Sequence, residues 1–262
     1  MKHRKHNRKT YRKIHKKIKN VTAKKYSAGS AIASGGFGCV FKPHLKCKSN
    51  KHKAYHKNKK YVSKLMLNKY AAEEFDLIKT VIKNVKDIPN YKDYFLVSHI
   101  YMCKPRALTK KDLQGFNRKC KSLVSRNITK KNINDKLNNL MTINMPFGGL
   151  DIDNYFEKWS KIQPSSKRNE SFKVTNNSLI ELLTKGIVKM NKKDYLHFDI
   201  KGSNIMRTND EKEGILDTRN IKTRLIDWGL AAEFKKGIIP RTIQGRPFQY
   251  NIPFSVILLN TN

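Results

Sequence analysis

The run YLHFDIKGSNIM, from Tyr195 to Met206, constrains this chain more than any other stretch. It sets His197, Asp199, Lys201 and Asn204 among residues of core type. Charged groups held between apolar neighbours cost free energy unless they are paired or coordinated. A fold containing this run must therefore wrap a core around a polar site. Composition permits such a core: the 262 residues are 38% hydrophobic and 10% aromatic, enough for one domain or two small lobes.

The flanking patterns predict the elements that would carry the site. SLIELLTKGIVKM reads as an amphipathic helix with Leu179, Leu182, Leu183, Ile187 and Met190 facing inward. NIMRT and TRLIDWG read as short strands joined by a charged loop. Nearer the N-terminus, SAIASGGFGCVFKP reads as strand, glycine turn, strand, and YVSKLML as a further strand. YAAEEFDLIKTVIKNV predicts a helix whose apolar face holds Ala71, Phe75, Ile78, Val81 and Ile82. YFLVSHIYMC and LMTINMPF predict two more strands, whereas the polar stretch 110–135 matches no period. Strands with one helix, then mostly helix, predict a two-lobed α+β enzyme.

Charge bears on partners. Lys and Arg number 56 against 20 Asp and Glu, a formal net charge of +36. Such a field attracts nucleic acid, anionic lipid or acidic protein surfaces. Drift toward Lys, Asn and Ile codons would produce the same excess. The basic segment 1–26 is expected to be a disordered, solvated tail, with a nucleic-acid arm or a localisation signal as its alternatives. No apolar run reaches the ~20 residues that cross a bilayer, and no apolar region follows the basic start as in a secretory signal. Cys39, Cys47, Cys103 and Cys120 form no CxxC pair. Their scatter argues against a disulfide framework or a zinc ribbon, and for a reducing, intracellular setting.

Three patches suit phosphoryl transfer when taken together. That chemistry needs a carboxylate to orient the attacking hydroxyl, a cation on the γ-phosphate and oxygen ligands for Mg²⁺. Asp199, Lys201 and Asn204 form D-x-K-x-x-N, and Asp227 follows an apolar strand in LIDWG. Gly35 and Gly38 in SGGFGCV let backbone N–H groups approach phosphate oxygens closely. Lys64, inside the apolar strand YVSK, calls for an anionic partner. Glu74 fits that role better than Glu73, because Leu77, Ile78 and Val81 then take the apolar positions that follow.

In this combination and order the chain resembles the eukaryotic-type protein kinase superfamily. HFDIKGSNIM resembles its catalytic loop, IDWG its magnesium motif, ASGGFGCVF its glycine-rich loop, YVSK its strand-borne lysine and AAEEFDLIKTVI its helix C. INMPFGGLDIDNYF resembles the hinge and the start of the lower lobe, and the likeness spans roughly residues 27–254. It implies a small β-rich N-lobe with one helix over residues 27–146 and a mostly helical C-lobe over 147–262. It implies that Asp199 is the catalytic base and that Lys201 steadies the γ-phosphate. Asn204 and Asp227 would hold Mg²⁺. Ala33, Gly35, Gly36, Phe37, Gly38 and Val40 would cover ATP, with Lys64 on its α/β-phosphates and Glu74 as the partner of Lys64. Lys201, two residues after the base, implies serine/threonine substrates. The composition and the ending PFQYNIPFSVIL resemble kinase-like proteins of giant DNA viruses, which implies host cytoplasm or virion.

Several positions depart from that family. Ala33 stands where its first loop glycine usually lies, Val62 where an alanine often meets the adenine ring, and Trp228 where phenylalanine is usual. Phe198 replaces the arginine that pairs with an activation-loop phosphate, so turnover is expected to be independent of phosphorylation at Thr242. Phe254 stands where an ion-pairing glutamate is expected, and the lower lobe is expected to be truncated after the activation segment. Two alternatives accompany the expected Ser/Thr kinase: a catalytically impaired pseudokinase acting as a scaffold, and a basic nucleic-acid-binding protein on a relic kinase fold.

Overall fold

The computed structural model describes residues 29–49, 60–208, 216 and 218–234. The basic tail 1–26, Thr242, Phe254 and the PFQYNIPFSVIL ending lie outside the described residues, as do most of the basic insert before Lys64 and part of the charged loop before Asp227.

The chain is α+β. β1 (Ser30–Ser34), β2 (Gly38–Lys42), β3 (Tyr61–Leu67), β4 (Tyr101–Cys103) and β5 (Leu140–Pro146) form one antiparallel sheet in the order β1-β2-β3-β5-β4. β1 and β2 are joined by the glycine turn, where the Gly35 N–H donates to the Gly38 carbonyl at 2.9 Å. β3 runs directly into helix α1 (Asn68–Val85), which buries Ala71, Ile78, Val81 and Val85 and half-buries Phe75 and Ile82. The apolar face expected of this segment is the face that packs.

The stretch 110–135 is not a solvated loop. Leu113, Phe116, Cys120, Leu123, Ile128 and Ile133 are buried in one cluster with Ala31, Cys39, Phe41 and Leu65. They are carried by two short helices, α3 (Phe116–Lys119) and α4 (Lys121–Val124), and the turns around them. Their irregular spacing follows neither a helical nor a strand period, so no pattern announced them.

Three other expectations are corrected. Only Tyr101–Cys103 of the expected strand 94–103 is extended in the sheet. Tyr94 instead ends a helical turn, α2 (Tyr91–Tyr94), and Phe95 bridges to Leu225. The helix expected over residues 178–190 begins at Ser166: α5 (Ile152–Ser160) is followed by α6 (Ser166–Glu181). The front half of α6 faces inward with Ser171 and Thr175, which meet Tyr155 and Arg207 through hydrogen bonds. A polar inner face leaves no apolar stripe to read. α6 continues through a wide π-helical turn, Leu182–Ile187, into α7 (Val188–Asn191). That turn holds more residues than an α turn and so shifts the phase, which leaves Leu183 53% exposed while Leu182, Ile187 and Met190 are buried.

The four cysteines are paired, Cys39 with Cys120 and Cys47 with Cys103. This overturns the expectation of free thiols, and with it the case that cysteine usage made for a reducing compartment. Partners 81 and 56 residues apart are brought together by the sheet and the 110–135 cluster, which sequence spacing cannot show.

Below the sheet, β6 (Leu150–Asp151), β8 (Ile205–Arg207) and β9 (Thr223–Leu225) form a second small sheet in the order β6-β8-β9, and β7 (Tyr195–Leu196) pairs with β10 (Ala232–Glu233). Val81 and Val85 of α1 share a buried cluster with Leu182, Met190, Tyr195, Leu225 and Trp228, which locks the sheet's helix onto these strands. Among the described residues, no helix is long and apolar enough to cross a membrane.

Candidate active site

The first group of site residues is built on β2, β3 and α1. Antiparallel register sets Val40 opposite Lys64 and Gly38 opposite Met66. A side chain at Gly38 would meet the Leu65 carbonyl at 2.7 Å, so glycine there lets β2 and β3 close on each other. A Cβ at Gly35 would lie 3.9 Å from Cε of Lys64, which puts the glycine turn over that lysine. Gly36 has open space around it, and Phe37, at the tip, is 52% exposed and stacks 4.9 Å from Tyr70. Ala33 and Val40 flank the turn and pair with one another across β1 and β2.

Lys64 Nζ donates to both carboxylate oxygens of Glu74, at 2.8 and 2.6 Å. The two side chains are 16% and 20% exposed, while Glu73 is turned to solvent. A two-oxygen ammonium–carboxylate pair in such surroundings resists screening better than a surface pair.

The second group lies between β7 and β8. His197 is buried, and its ring stands edge-on to Trp228 with centroids 4.9 Å apart. His197 Nδ1 accepts the Asp199 N–H at 3.2 Å, and Nε2 lies 3.0 Å from the Ile226 carbonyl. An acceptor at Nδ1 and a carbonyl at Nε2 define one neutral tautomer, with the proton on Nε2. Burial holds the ring's pKa below its ordinary value. The Ile226 carbonyl and the carboxylates of Asp227 and Asp199 oppose that shift, and Lys201 adds to it. The imidazole is therefore a neutral strut between the backbones of two chain segments.

Asp199 is buried with its carboxylate tied on several sides. Lys201 Nζ donates to both oxygens at 3.0 Å, and Asn204 Nδ2 donates to Oδ2 at 2.8 Å and to the Asp199 carbonyl at 2.9 Å. These bonds hold the carboxylate in one orientation. Asn204 spends its amide nitrogen on Asp199, which turns its Oδ1 elsewhere. The Asn204 carbonyl accepts the Ile226 N–H at 2.9 Å, beside the β8–β9 pair Ile205–Leu225. Asn204 and Asp227 thus emerge at the same end of that hairpin. Asp227 is exposed with a left-handed backbone, φ 61°, a conformation that aspartate and asparagine adopt more readily than other non-glycine residues. Among the described residues its carboxylate has no hydrogen-bond or ion-pair partner.

The scaffold links the two groups. Glu74 lies two turns, about 10 Å along the axis, from Val81 on α1. The same helix packs on the turn Trp228–Leu230 that follows Asp227. Every predicted site residue is therefore found in one of two clusters joined by α1. Among the described residues no group of three or more His, Cys, Asp or Glu side chains converges. The oxygen donors left over are Asn204 Oδ1 and the Asp227 carboxylate. Two oxygen donors are fewer than an all-protein metal cage requires.

Sequence reasoning missed a third set of residues at the glycine turn, Lys119, Ser122 and Arg126, which reach it from the 110–135 stretch. No local signal marked them, since they meet the turn across more than 80 positions. No protein-family model and no curated protein matches the chain.

Proposed function

We propose that the chain is an ATP-dependent phosphotransferase with a two-lobed, protein-kinase-like fold, acting on serine and threonine hydroxyls of proteins. The observation that carries this is Asp199, a residue 6% exposed whose carboxylate is oriented by Lys201 and Asn204. The charge of Asp227, which has no hydrogen-bond or ion-pair partner among the described residues, is felt by the same His197 as that of Asp199. A substrate hydroxyl would donate its hydrogen bond to Asp199, which orients the attacking oxygen and takes its proton as the new O–P bond forms. Lys201, whose side chain is 43% exposed, would neutralise charge developing on the transferred group. Lys64, held by Glu74 under the glycine turn, would grip the remaining phosphates, with the backbone N–H groups of Gly36 and Phe37 closing over them. Mg²⁺ fits Asn204 Oδ1 and Asp227, and when bound supplies charge neutralisation on phosphate oxygens. An intracellular location goes with ATP as the donor.

The test is incubation of the purified chain with γ-labelled ATP, Mg²⁺ and a basic model protein, alongside Asp199→Ala. Expected is label on serine and threonine, reduced by about 100-fold or more in the variant. Absence of both label and nucleotide binding would sink the proposal. A second reading, a nucleotide-binding scaffold without turnover, is favoured by Ile180, Leu183 and Val188, which stand exposed along one helical segment. A melting shift with ATP but no label in the same assay selects it.

A further inference from the structure

The segment between β4 and β5 takes no part in the chemistry above, yet it meets the glycine turn from both flanking strands. On β1, Lys119 Nζ donates to the Ala31 carbonyl at 2.8 Å. Ser122 Oγ donates to the Gly38 carbonyl at 2.9 Å and lies 3.1 Å from Ser34 Oγ on the other side of the turn. Cys39, directly after Gly38, is bonded to Cys120. At the tip, the Arg126 guanidinium lies 5.8 Å from the Phe37 ring and 5.4 Å from the Tyr70 ring, and its Nη1 donates to the Ser122 carbonyl. The segment is itself anchored, with Phe116, Cys120 and Leu123 fully buried.

We propose that residues 104–139 brace the glycine turn, with Ser122 and Arg126 as its positioning residues. A turn containing Gly35 and Gly36 has wide backbone freedom, and a ligand that orders it loses affinity in proportion to the freedom removed. Ser122 gives the carbonyl that closes the turn a second hydrogen bond, beside that from the Gly35 N–H. Arg126 holds Phe37 against α1 through two aromatic faces. The turn is thereby set before a ligand arrives, by residues that need not touch the ligand. The consequence for ATP affinity rests on the phosphotransferase proposal, whereas the brace itself does not.

The test uses the full chain with Ser122→Ala, Arg126→Ala, both together, Arg126→Lys, and Arg118→Ala as a control that removes an exposed cation from the same segment. Amide hydrogen exchange without nucleotide reads the brace. Residues 34–38 are expected to exchange about threefold faster in Arg126→Ala and about tenfold faster in the double variant. Arg126→Lys recovers part of the loss, and Arg118→Ala matches wild type. Melting temperature and exchange across 110–135 stay near wild type. ATP binding, read in parallel, weakens by similar factors with little change in kcat. Unchanged exchange at 34–38 in the double variant overturns the brace. So does faster exchange spread over 104–139 with a lowered melting temperature, which marks a merely structural role. Faster exchange with unchanged ATP affinity removes the positioning role. A wild type that binds no ATP refutes the phosphotransferase proposal, and the exchange arm still decides the brace.

Discussion

Two buried rings show how single residues set the behaviour of this chain. Tyr195 is 1% exposed and its hydroxyl has no partner among the described residues. Burial, followed by the charge of Glu233, pushes its pKa up to about 12 from 10.0. The folded state therefore keeps this proton longer than the unfolded chain does. The stability involved is complete below pH 10 and is lost as pH rises from 10 through about 12. Tyr195→Phe is expected to stabilise by about 1 kcal/mol, because it deletes an unsatisfied buried hydroxyl, and to abolish that alkaline loss. Urea unfolding at pH 8 and pH 11 checks both. His197 works in the opposite direction. Its lowered pKa means that the unfolded chain takes up a proton first as pH falls through 6.5. Stability is expected to decline from pH 7 toward pH 5, and His197→Gln is expected to flatten that slope in thermal melts. The sequence placed His197 in a polar patch and Tyr195 at the apolar edge of the same run. It could not distinguish a strut from a base, since that depends on which backbone groups approach the ring.

At the scale of elements, the segments with one strong period were legible and the others were not. The glycine hairpin, β3, α1 and β5 form where alternation or a helical stripe foretold them, because each packs one face against the sheet's own core. The predicted strand over 94–103 shortened because Tyr94 and Phe95 turn into the cluster beneath α1, and burial there satisfies an apolar run without a strand. The hairpin itself offers a sharp comparison. Gly38→Ala would drive a Cβ to 2.6 Å from Met66 Cγ and 2.7 Å from the Leu65 carbonyl. A backbone oxygen cannot step aside, so a loss of about 1–3 kcal/mol is expected. Gly36→Ala meets nothing within 4 Å and is expected to change stability by less than about 0.5 kcal/mol. Chemical denaturation of the two variants side by side decides the matter, and equal losses would contradict the strand register.

For the whole molecule, the pairing of the cysteines carries the clearest prediction. The bond between Cys39 and Cys120 joins the glycine hairpin to the 110–135 segment across 81 residues, and the bond between Cys47 and Cys103 joins the chain after β2 to β4. Closing long loops restricts the unfolded ensemble. The double variant Cys39→Ser with Cys120→Ser is expected to lose about 2–4 kcal/mol of stability. Denatured, unreduced protein is expected to take up no thiol label, and four labels per chain under those conditions would contradict the pairing. The +36 charge acts at this scale too, through association rather than fold.

By itself the sequence determined the periodic elements, the α+β class and the polar residues gathered near Asp199, because local spacing decides which face of a helix or strand is apolar and which short-range polar groups can meet. Tertiary structure alone decided that the helix around Ser171 buries hydroxyls, that the cysteines pair and that Ser122 and Arg126 meet the glycine turn. Each of these needs two stretches distant in sequence to share one place. Proximity of that kind comes from packing the chain as a whole and leaves no period in the residues that it unites.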